Sequence, residues 1–205
     1  MWTKKVRKAK EGRSAKPNAI VLAALELFTR YGYRKTSIDD IAEAAQVAKR
    51  TVYLHFENKA AVFLAILEYL GDQVRQRCGA AERMGGTAVD RLAGLLDAYF
   101  GIGFELFSKS GHMPELEETF SKLARTRIGD LNAEYEDRLA RFLRSLQKTG
   151  EIGGPPLGLT VQQVIHILIR SAEGAKREAK MQGDRKELQR RLRELATLAI
   201  AAMKK

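Results

Sequence analysis

Cysteine is almost absent from this chain, with Cys78 the single one in 205 residues. An intramolecular disulfide and a thiolate metal site are therefore excluded. Histidine is also scarce, and His55, His112 and His166 lie too far apart in the sequence for metal-ligand spacing. We therefore expect neither a metal nor a cofactor, and a reducing cytoplasm is the natural setting.

Long apolar runs and enzyme signatures are missing as well. No stretch approaches the roughly 20 apolar residues of a membrane span, and the amino-terminal residues lack the apolar core of a signal peptide. We therefore expect no membrane partner. The sequence has no phosphate-cradling glycine loop and no HExxH or CxxC motif, so we also expect that the protein is not an enzyme.

Basic charge is what the chain has in excess. Its 36 Lys and Arg residues against 25 Asp and Glu give a net charge of +11. Such a balance suits a polyanionic partner, or simply keeps the protein soluble. Residues 1–16 alone carry seven Lys or Arg and one acid. This segment is either a solvated, disordered tail or an arm that contacts DNA and becomes ordered on binding.

The hydrophobic pattern is helical along the whole chain. Apolar residues recur at steps of one and three from Ile20 to Tyr31, and Gly32 then fits the left-handed position that ends a helix. Further along, Thr160 and Gln163 form a capping box. Because no strand pattern, repeat or low-complexity block interrupts this order, we predict an all-α fold of about nine helices.

Residues 37–59 form the most informative segment. They read as two short helices joined by a tight turn around Gln46, and the second helix carries Lys49, Arg50, Thr51 and Tyr53. A helix of that length with basic and hydroxyl side chains can lie in a DNA major groove and reach base edges and phosphates. The alternative interpretation is a solvated basic face without a partner.

This segment and its flanks carry several motifs at fixed spacing: Tyr31-Gly32-Tyr33, Asp40-Ile41-Ala42-Glu43-Ala44-Ala45, Thr51-Val52-Tyr53 and Asn58-Lys59. With these motifs, residues 18 to about 69 resemble the TetR family of transcriptional regulators. It implies a three-helix helix-turn-helix DNA-binding head and a six-helix ligand-binding and dimerisation body. The expected boundaries are a basic arm at 1–16, the head at 17–58 and the body at 59–205.

The resemblance also assigns ten residues to DNA binding. Thr36 and Ser37 are expected to bind phosphate at the start of the second helix. The recognition helix is expected to contribute Ala48, Lys49, Arg50, Thr51 and Leu54. Contacts to the DNA backbone beside it are expected from Tyr53, His55 and Lys59.

The chain departs from the family pattern within this segment. Gln46 replaces the common turn glycine, so we expect it in a left-handed or nearby conformation. Ala48 lacks the usual capping hydroxyl. Arg50 stands in place of a frequent glycine and adds a planar fork that fits guanine O6 and N7. Operator choice is expected to depend on these positions.

Aromatic residues of the body indicate a ligand pocket, although ordinary core packing is the alternative for each of them. The candidates are Tyr99, Phe100, Phe104, Glu105, Phe107, Met113 and Phe120. Gly101 and Gly103 interrupt the same helix at a cost of about 1 kcal/mol each relative to alanine, which indicates that room is needed beside it. Glu105 either meets a cationic ligand or faces water. We expect a small apolar or aromatic effector.

Two wide apolar stripes close the chain. Their members are Val161, Ile165, Leu168 and Ala172 in one helix and Leu188, Leu192, Leu195 and Ala199 in the next. A terminal helix needs one such face to close its own subunit, so two in succession suit a four-helix interface between two copies of the chain.

These features favour a DNA-binding regulator over an architectural DNA-binding protein and over an enzyme. The expected protein is a ligand-responsive repressor that binds a palindromic operator in double-stranded DNA as a homodimer and is released by a small-molecule effector. An architectural DNA-binding protein without a ligand is the alternative, and it would show little sequence preference.

Overall fold

The computed structural model describes residues 15–108 and 110–204, so the predicted basic arm lies outside them except for its last two residues. Within this part the chain forms nine α-helices, one short 3-10 turn at Pro156–Gly158 and no strand. The helices are α1 (Ala15–Tyr31), α2 (Ile38–Ala44), α3 (Lys49–His55), α4 (Lys59–Arg83), α5 (Ala88–Phe107), α6 (Met113–Leu123), α7 (Arg125–Lys148), α8 (Val161–Gln182) and α9 (Arg185–Ala202). The predicted all-α fold is confirmed.

Short-range capping signals set the ends of several helices. Ser37, Thr87 and Thr160 each accept a hydrogen bond from the backbone N–H three residues on, and the side chain at that position accepts one from the cap's own N–H. Each capping box thus satisfies two backbone donors. Gly32 and Gly183, with φ of 88° and 67°, take the left-handed conformation that ends α1 and α8.

The chain divides into two compact units. The first unit extends to Tyr69 and includes Gly111–Ala124, and the second holds Leu70–Ser110 and the residues from Arg125 onward. The first unit therefore contains α6 as well as the start of α4. A reason is that Phe63 of α4 and Phe120 of α6 pack with ring centroids 4.6 Å apart. The boundary between the compact units therefore differs from the predicted domain boundary after residue 58. The predicted boundary separates a DNA-binding part from a ligand-binding part, and it stays a prediction.

Each unit has its own buried apolar residues. In the first unit Ile20, Phe28 and Ile41 from α1 and α2 are at most 2% exposed, as is Val52 of α3. In the second unit α5, α7, α8 and α9 surround a core that includes Leu92, Leu96, Leu139, Leu143, Ile165, Leu188 and Leu192. Burying one such side chain contributes about 1.5–3 kcal/mol, so these residues fix the helices that carry the candidate sites.

None of the helices within residues 15–108 and 110–204 combines the length and the apolar character needed to cross a bilayer. In the same residues no group of three or more His, Cys, Asp or Glu side chains is placed to hold a metal ion.

Candidate nucleic-acid interface

Helix α3 presents a polar and basic face to solvent because one apolar residue anchors its other side. Val52 is fully buried, whereas Lys49 and Arg50 are exposed, Tyr53 is 49% exposed and Leu54 is 78% exposed. His55 is exposed at the end of the helix, and Thr51 is half-buried. The predicted recognition residues therefore share one accessible surface, which is the arrangement needed to enter a groove.

The turn between α2 and α3 has the backbone expected from its sequence. Gln46 has φ of 56°, the left-handed conformation predicted where glycine is common. Two backbone hydrogen bonds close the turn, from Gln46 N to Glu43 O at 3.0 Å and from Val47 N to Ala42 O at 2.9 Å. Ala48 begins α3 with no side-chain cap, as predicted. The amide of Gln46 thus stands at the corner of the candidate interface.

Arg50 and Lys49 differ in how they are held. Lys49 Nζ lies 2.8 Å from Asp39 Oδ2, and this hydrogen bond raises the pKa of Lys49. Arg50 has no hydrogen-bond or ion-pair partner within the part of the chain that the structure describes. Its five N–H donors are therefore available for a base edge or a phosphate.

The hydroxyl groups of Thr36 and Ser37, which the resemblance assigns to phosphate binding, already form hydrogen bonds within the chain. Thr36 is only 3% exposed, and its hydroxyl donates to Gly32 O at 2.8 Å. Ser37 is exposed, but its hydroxyl oxygen already accepts from Asp40 N and lies 2.7 Å from Asp40 Oδ2. The Thr36 side chain therefore helps to hold the turn between α1 and α2, and phosphate contact by Ser37 would have to compete with the helix cap.

Lys59 is also committed inside the first unit. Its ammonium donates to Tyr33 O and Thr36 O, both at 2.8 Å, and lies 4.4 Å from the centre of the Tyr33 ring. Burial lowers the pKa of Lys59, and the charges of Glu115 and Asp40 act in the opposite direction. This side chain therefore ties the start of α4 to the turn before α2, a position that differs from the free backbone contact expected for it.

Helix α6 also contacts the turn between α1 and α2. Glu115 Oε1 accepts from Arg34 N at 2.6 Å, and Glu118 forms an ion pair with the Arg34 guanidinium at 2.9 Å. A Cβ atom added to Gly32 would stand 2.4 Å from Glu115 Oε2. No local sequence pattern predicts this contact, because α1 and α6 are some 80 residues apart along the chain.

The second unit contains a cavity of about 220 Å³ among α5, α7 and α8. Its lining residues are Tyr99, Phe100, Asn132, Tyr135, Glu136, His166, Ile169, Arg170 and Glu173. Of the predicted pocket residues, only Tyr99 and Phe100 belong to this lining. Phe104 is 5% exposed and packs in the core of the second unit. Phe107 is half-buried in the same unit, whereas Met113 and Phe120 belong to the first unit.

Glu105 is exposed, lies outside the cavity lining and is already paired within the chain. Its carboxylate accepts from both Arg77 nitrogens, at 2.9 and 3.2 Å, and from Arg185 at 3.3 Å. Burial alone would raise the pKa of Glu105, but the two guanidinium groups together lower it. Arg185 also forms an ion pair with Asp97 at 2.7 Å.

The two glycines of α5 have different surroundings. A Cβ atom at Gly101 would stand 2.4 Å from an Arg185 nitrogen, whereas at Gly103 it would meet nothing within 4 Å. Gly103→Ala is therefore expected to raise the free energy of unfolding by about 1 kcal/mol through helix propensity. Gly101→Ala should gain less or lose stability, because Arg185 must leave Asp97. Urea unfolding of both variants measures the difference, and equal gains would contradict this reason for Gly101.

Most of the predicted dimer residues lie inside the core of a single chain. Ile165, Leu168, Ala172, Leu188 and Leu192 are at most 4% exposed, and Val161, Leu195 and Ala199 are partly buried against the same cluster. The stripes therefore serve the chain's own core, which is the alternative use of an apolar helix face. The large apolar residues that are exposed on these helices are others, Ile167 at 55%, Met181 at 85% and Leu198 at 68%.

Comparison with known proteins gives a consistent family. Residues 20–66 match the family model described as bacterial regulatory proteins, tetR family. Over 59 residues the chain is 39% identical to the HTH-type transcriptional regulator RutR of Escherichia coli K12. This match covers 29% of this chain and 28% of RutR. The chain thus matches little more than a quarter of the length of this curated relative.

Solved structures match over most of the chain at lower identity. A TetR-family transcriptional regulator from Rhodococcus sp. is 22% identical, with a TM-score of 0.71, and the match covers 91% of this chain and 100% of that one. The regulator FadR of Bacillus subtilis, solved in complex with stearoyl-CoA, is 21% identical with a TM-score of 0.65, over 91% and 98% of the two chains. These likenesses establish the fold.

Proposed function

Because the chain belongs to the tetR family of bacterial regulatory proteins, whose members are DNA-binding transcriptional regulators, we propose that it represses transcription as a homodimer on a palindromic operator. A small molecule with an aromatic or apolar body, bound in the second unit, releases it from DNA. The proposal depends mainly on the accessible face of α3. Arg50 is exposed there and forms no hydrogen bond or ion pair with any residue that the structure describes.

Base recognition follows from the chemistry of that face. Arg50 supplies a planar fork for guanine O6 and N7, and such a bidentate pair contributes about 1–3 kcal/mol of discrimination against a wrong base. Lys49, Tyr53 and His55 supply donors that bind phosphates and set the position of the helix on the duplex. Leu54, 78% exposed, offers an apolar contact for a thymine methyl group.

A second copy is needed because one short helix reads only a few base pairs. Two recognition helices must reach half-sites about one helical turn apart, roughly 34–36 Å. We infer that the face that supports pairing consists of Ile167, Ser171 and Gly174 on α8 with Leu198 and Ala202 on α9, which are spaced three or four residues apart and are exposed or half-buried. Nothing lies within 4 Å of a Cβ atom placed at Gly174, so a helix from the partner copy has room to approach there.

Pairing through this face has a direct test. Leu198→Glu is expected to raise the dimer dissociation constant at least about 30-fold, because a carboxylate would be buried at the centre of the interface. Sedimentation velocity over a concentration series measures this. Leu157→Glu is the control, since Leu157 is 97% exposed on the 3-10 turn outside this face. A monomeric wild type, or a Leu198→Glu protein that dimerises like the control, would refute the assignment.

Release by an effector requires a difference in affinity between two states of the protein. A ligand that weakens operator binding by a given factor must itself be weakened by the operator by the same factor. The second unit provides a cavity for such a ligand, and no cofactor is needed for the cycle.

The decisive experiment is selection of bound sequences from random duplex DNA, followed by footprinting. We expect enrichment of a palindrome with half-sites one turn apart and a footprint confined to it. A footprint that spreads along any duplex would instead favour an architectural DNA-binding protein, and no enriched sequence would refute the proposal.

A further inference from the structure

The cavity among α5, α7 and α8 carries charges of opposite sign that do not pair with each other. We propose that it binds a small zwitterion with a flat aromatic body, whose cationic group contacts Glu136 and whose anionic group contacts Arg170. This inference rests on the proposed function, because it names the chemical class of the effector that releases the DNA.

The floor of the cavity is flat, aromatic and already fixed. Tyr99 stacks on Tyr135 with ring centroids 4.2 Å apart and planes 18° apart, and Phe100 meets the Tyr99 ring nearly edge-on. The Tyr135 hydroxyl donates to Leu95 O at 3.1 Å, and the Tyr99 hydroxyl donates to Asn132 Oδ1. Because both hydroxyls are held and the two rings stack on each other, the rings form a fixed aromatic wall against which a flat ligand can pack.

The negative side of the cavity is Glu136. Its carboxylate accepts from the neutral amide of Gln162 at 3.1 Å, and it has no cationic partner in the described part of the chain. Glu173, in contrast, forms an ion pair with Lys176 at 2.7 Å. Burial raises the pKa of Tyr99 to about 12, and the charges of Glu173 and Glu136 add to this rise. A ligand cation near Tyr99 would therefore meet a favourable potential.

The positive side of the cavity is Arg170, with His166 one turn earlier on α8. Neither side chain has a hydrogen-bond or ion-pair partner among residues 15–108 and 110–204. Arg170 faces the same space as Glu136 of α7, yet the two form no ion pair. A molecule that carries both charges can satisfy both groups at once, whereas an ion of one sign leaves the other group uncompensated.

Size and polarity argue against a long acyl chain in this cavity. Its volume of about 220 Å³ lies below the roughly 300–1,000 Å³ of pockets for drug-sized ligands. Most of the residues around it carry a polar or charged group, which a hydrocarbon tail would leave without a partner.

The test uses the full-length protein and three aromatic amino acids, phenylalanine, tyrosine and tryptophan. Each is compared by titration calorimetry with its decarboxylated amine and its deaminated acid. We expect at least one amino acid to bind at least about ten-fold more tightly than either of its analogues, since each analogue lacks one charged group and leaves Glu136 or Arg170 without a partner.

Two variants test the contacts to the two charged groups of the ligand separately. Glu136→Gln should weaken the amino acid and the amine but not the acid, and Arg170→Gln should weaken the amino acid and the acid but not the amine. Asp137→Asn on α7 and Arg177→Gln on α8, both exposed and outside the cavity lining, are the matched controls.

Each outcome separates this inference from the function on which it rests. The crossed pattern supports the zwitterion site. If no amino acid binds, or if both variants weaken all three compounds equally, the inference is overturned, and a palindrome enriched from random DNA would still uphold the repressor. Stearoyl-CoA that releases the DNA when no amino acid does would likewise overturn the zwitterion and keep the repressor. Failure to enrich any DNA sequence would refute the repressor itself.

Discussion

Arg50→Ala is expected to lower affinity for the selected operator by about ten-fold or more per half-site, while affinity for random DNA falls far less. The reason is that Arg50 is the exposed donor fork of α3, and a bidentate contact to guanine contributes about 1–3 kcal/mol. Selection from random DNA with the variant should also show a relaxed preference at one base pair of each half-site. Fluorescence anisotropy at fixed salt, with operator and random duplexes, measures both effects.

A charge-matched control separates base recognition from bulk electrostatics. Arg144→Ala removes one arginine from an exposed position of α7 in the second unit. It should leave the operator preference unchanged and affect both duplexes slightly and equally. If Arg50→Ala weakens operator and random DNA by the same factor, Arg50 contacts only phosphates and the specificity lies elsewhere.

Gly32→Ala is expected to lower the free energy of unfolding by about 2–3 kcal/mol. The left-handed backbone at φ of 88° costs an alanine about 1–2 kcal/mol. The new methyl group would also stand 2.4 Å from Glu115 Oε2, so the carboxylate must move and lose its hydrogen bond from Arg34 N, worth about 1 kcal/mol. Urea unfolding of the full chain measures the loss.

Gly150→Ala is the matched control for this substitution. Gly150 has a similar φ of 76°, but a Cβ atom there meets nothing within 4 Å, so only the backbone cost should appear. In a Glu115→Ala background the additional cost of Gly32→Ala should fall toward the Gly150→Ala value, although His112 Nδ1 remains 3.1 Å from the added Cβ atom. Equal losses for both glycines in the wild-type background would show that the contact with Glu115 carries no energy.

The helices and the candidate recognition face could be predicted from sequence because their signals are short-range. Gly32, Ser37 and Thr160 mark helix ends by local chemistry, and Val52 among polar neighbours indicates which side of α3 is buried. Even the left-handed backbone of Gln46 follows from its position in a tight turn. Such features need no knowledge of distant partners.

The features that sequence reasoning missed depend on partners far along the chain. The carboxylate of Glu105 pairs with Arg77 and Arg185, which lie 28 and 80 residues away along the chain. The ammonium of Lys59 donates to backbone carbonyls that precede α2. An apolar stripe has the same pattern whether it faces its own core or a second copy, so Leu188 and Leu192 could not be separated from Leu198 by periodicity alone. The lining of the cavity comes from three helices, and only Tyr99 and Phe100 stood out by residue type.

The membership of α6 in the first unit limits how this chain can be recombined with its relatives. A chimera that joins residues 15–69 to a foreign effector domain would leave behind Phe120, Glu115 and Glu118, and with them the ring partner of Phe63 and both acceptors of Arg34. Exchange of the proposed DNA-recognition surface between relatives therefore has to transplant two separate stretches of sequence, or else change only the exposed positions of α3.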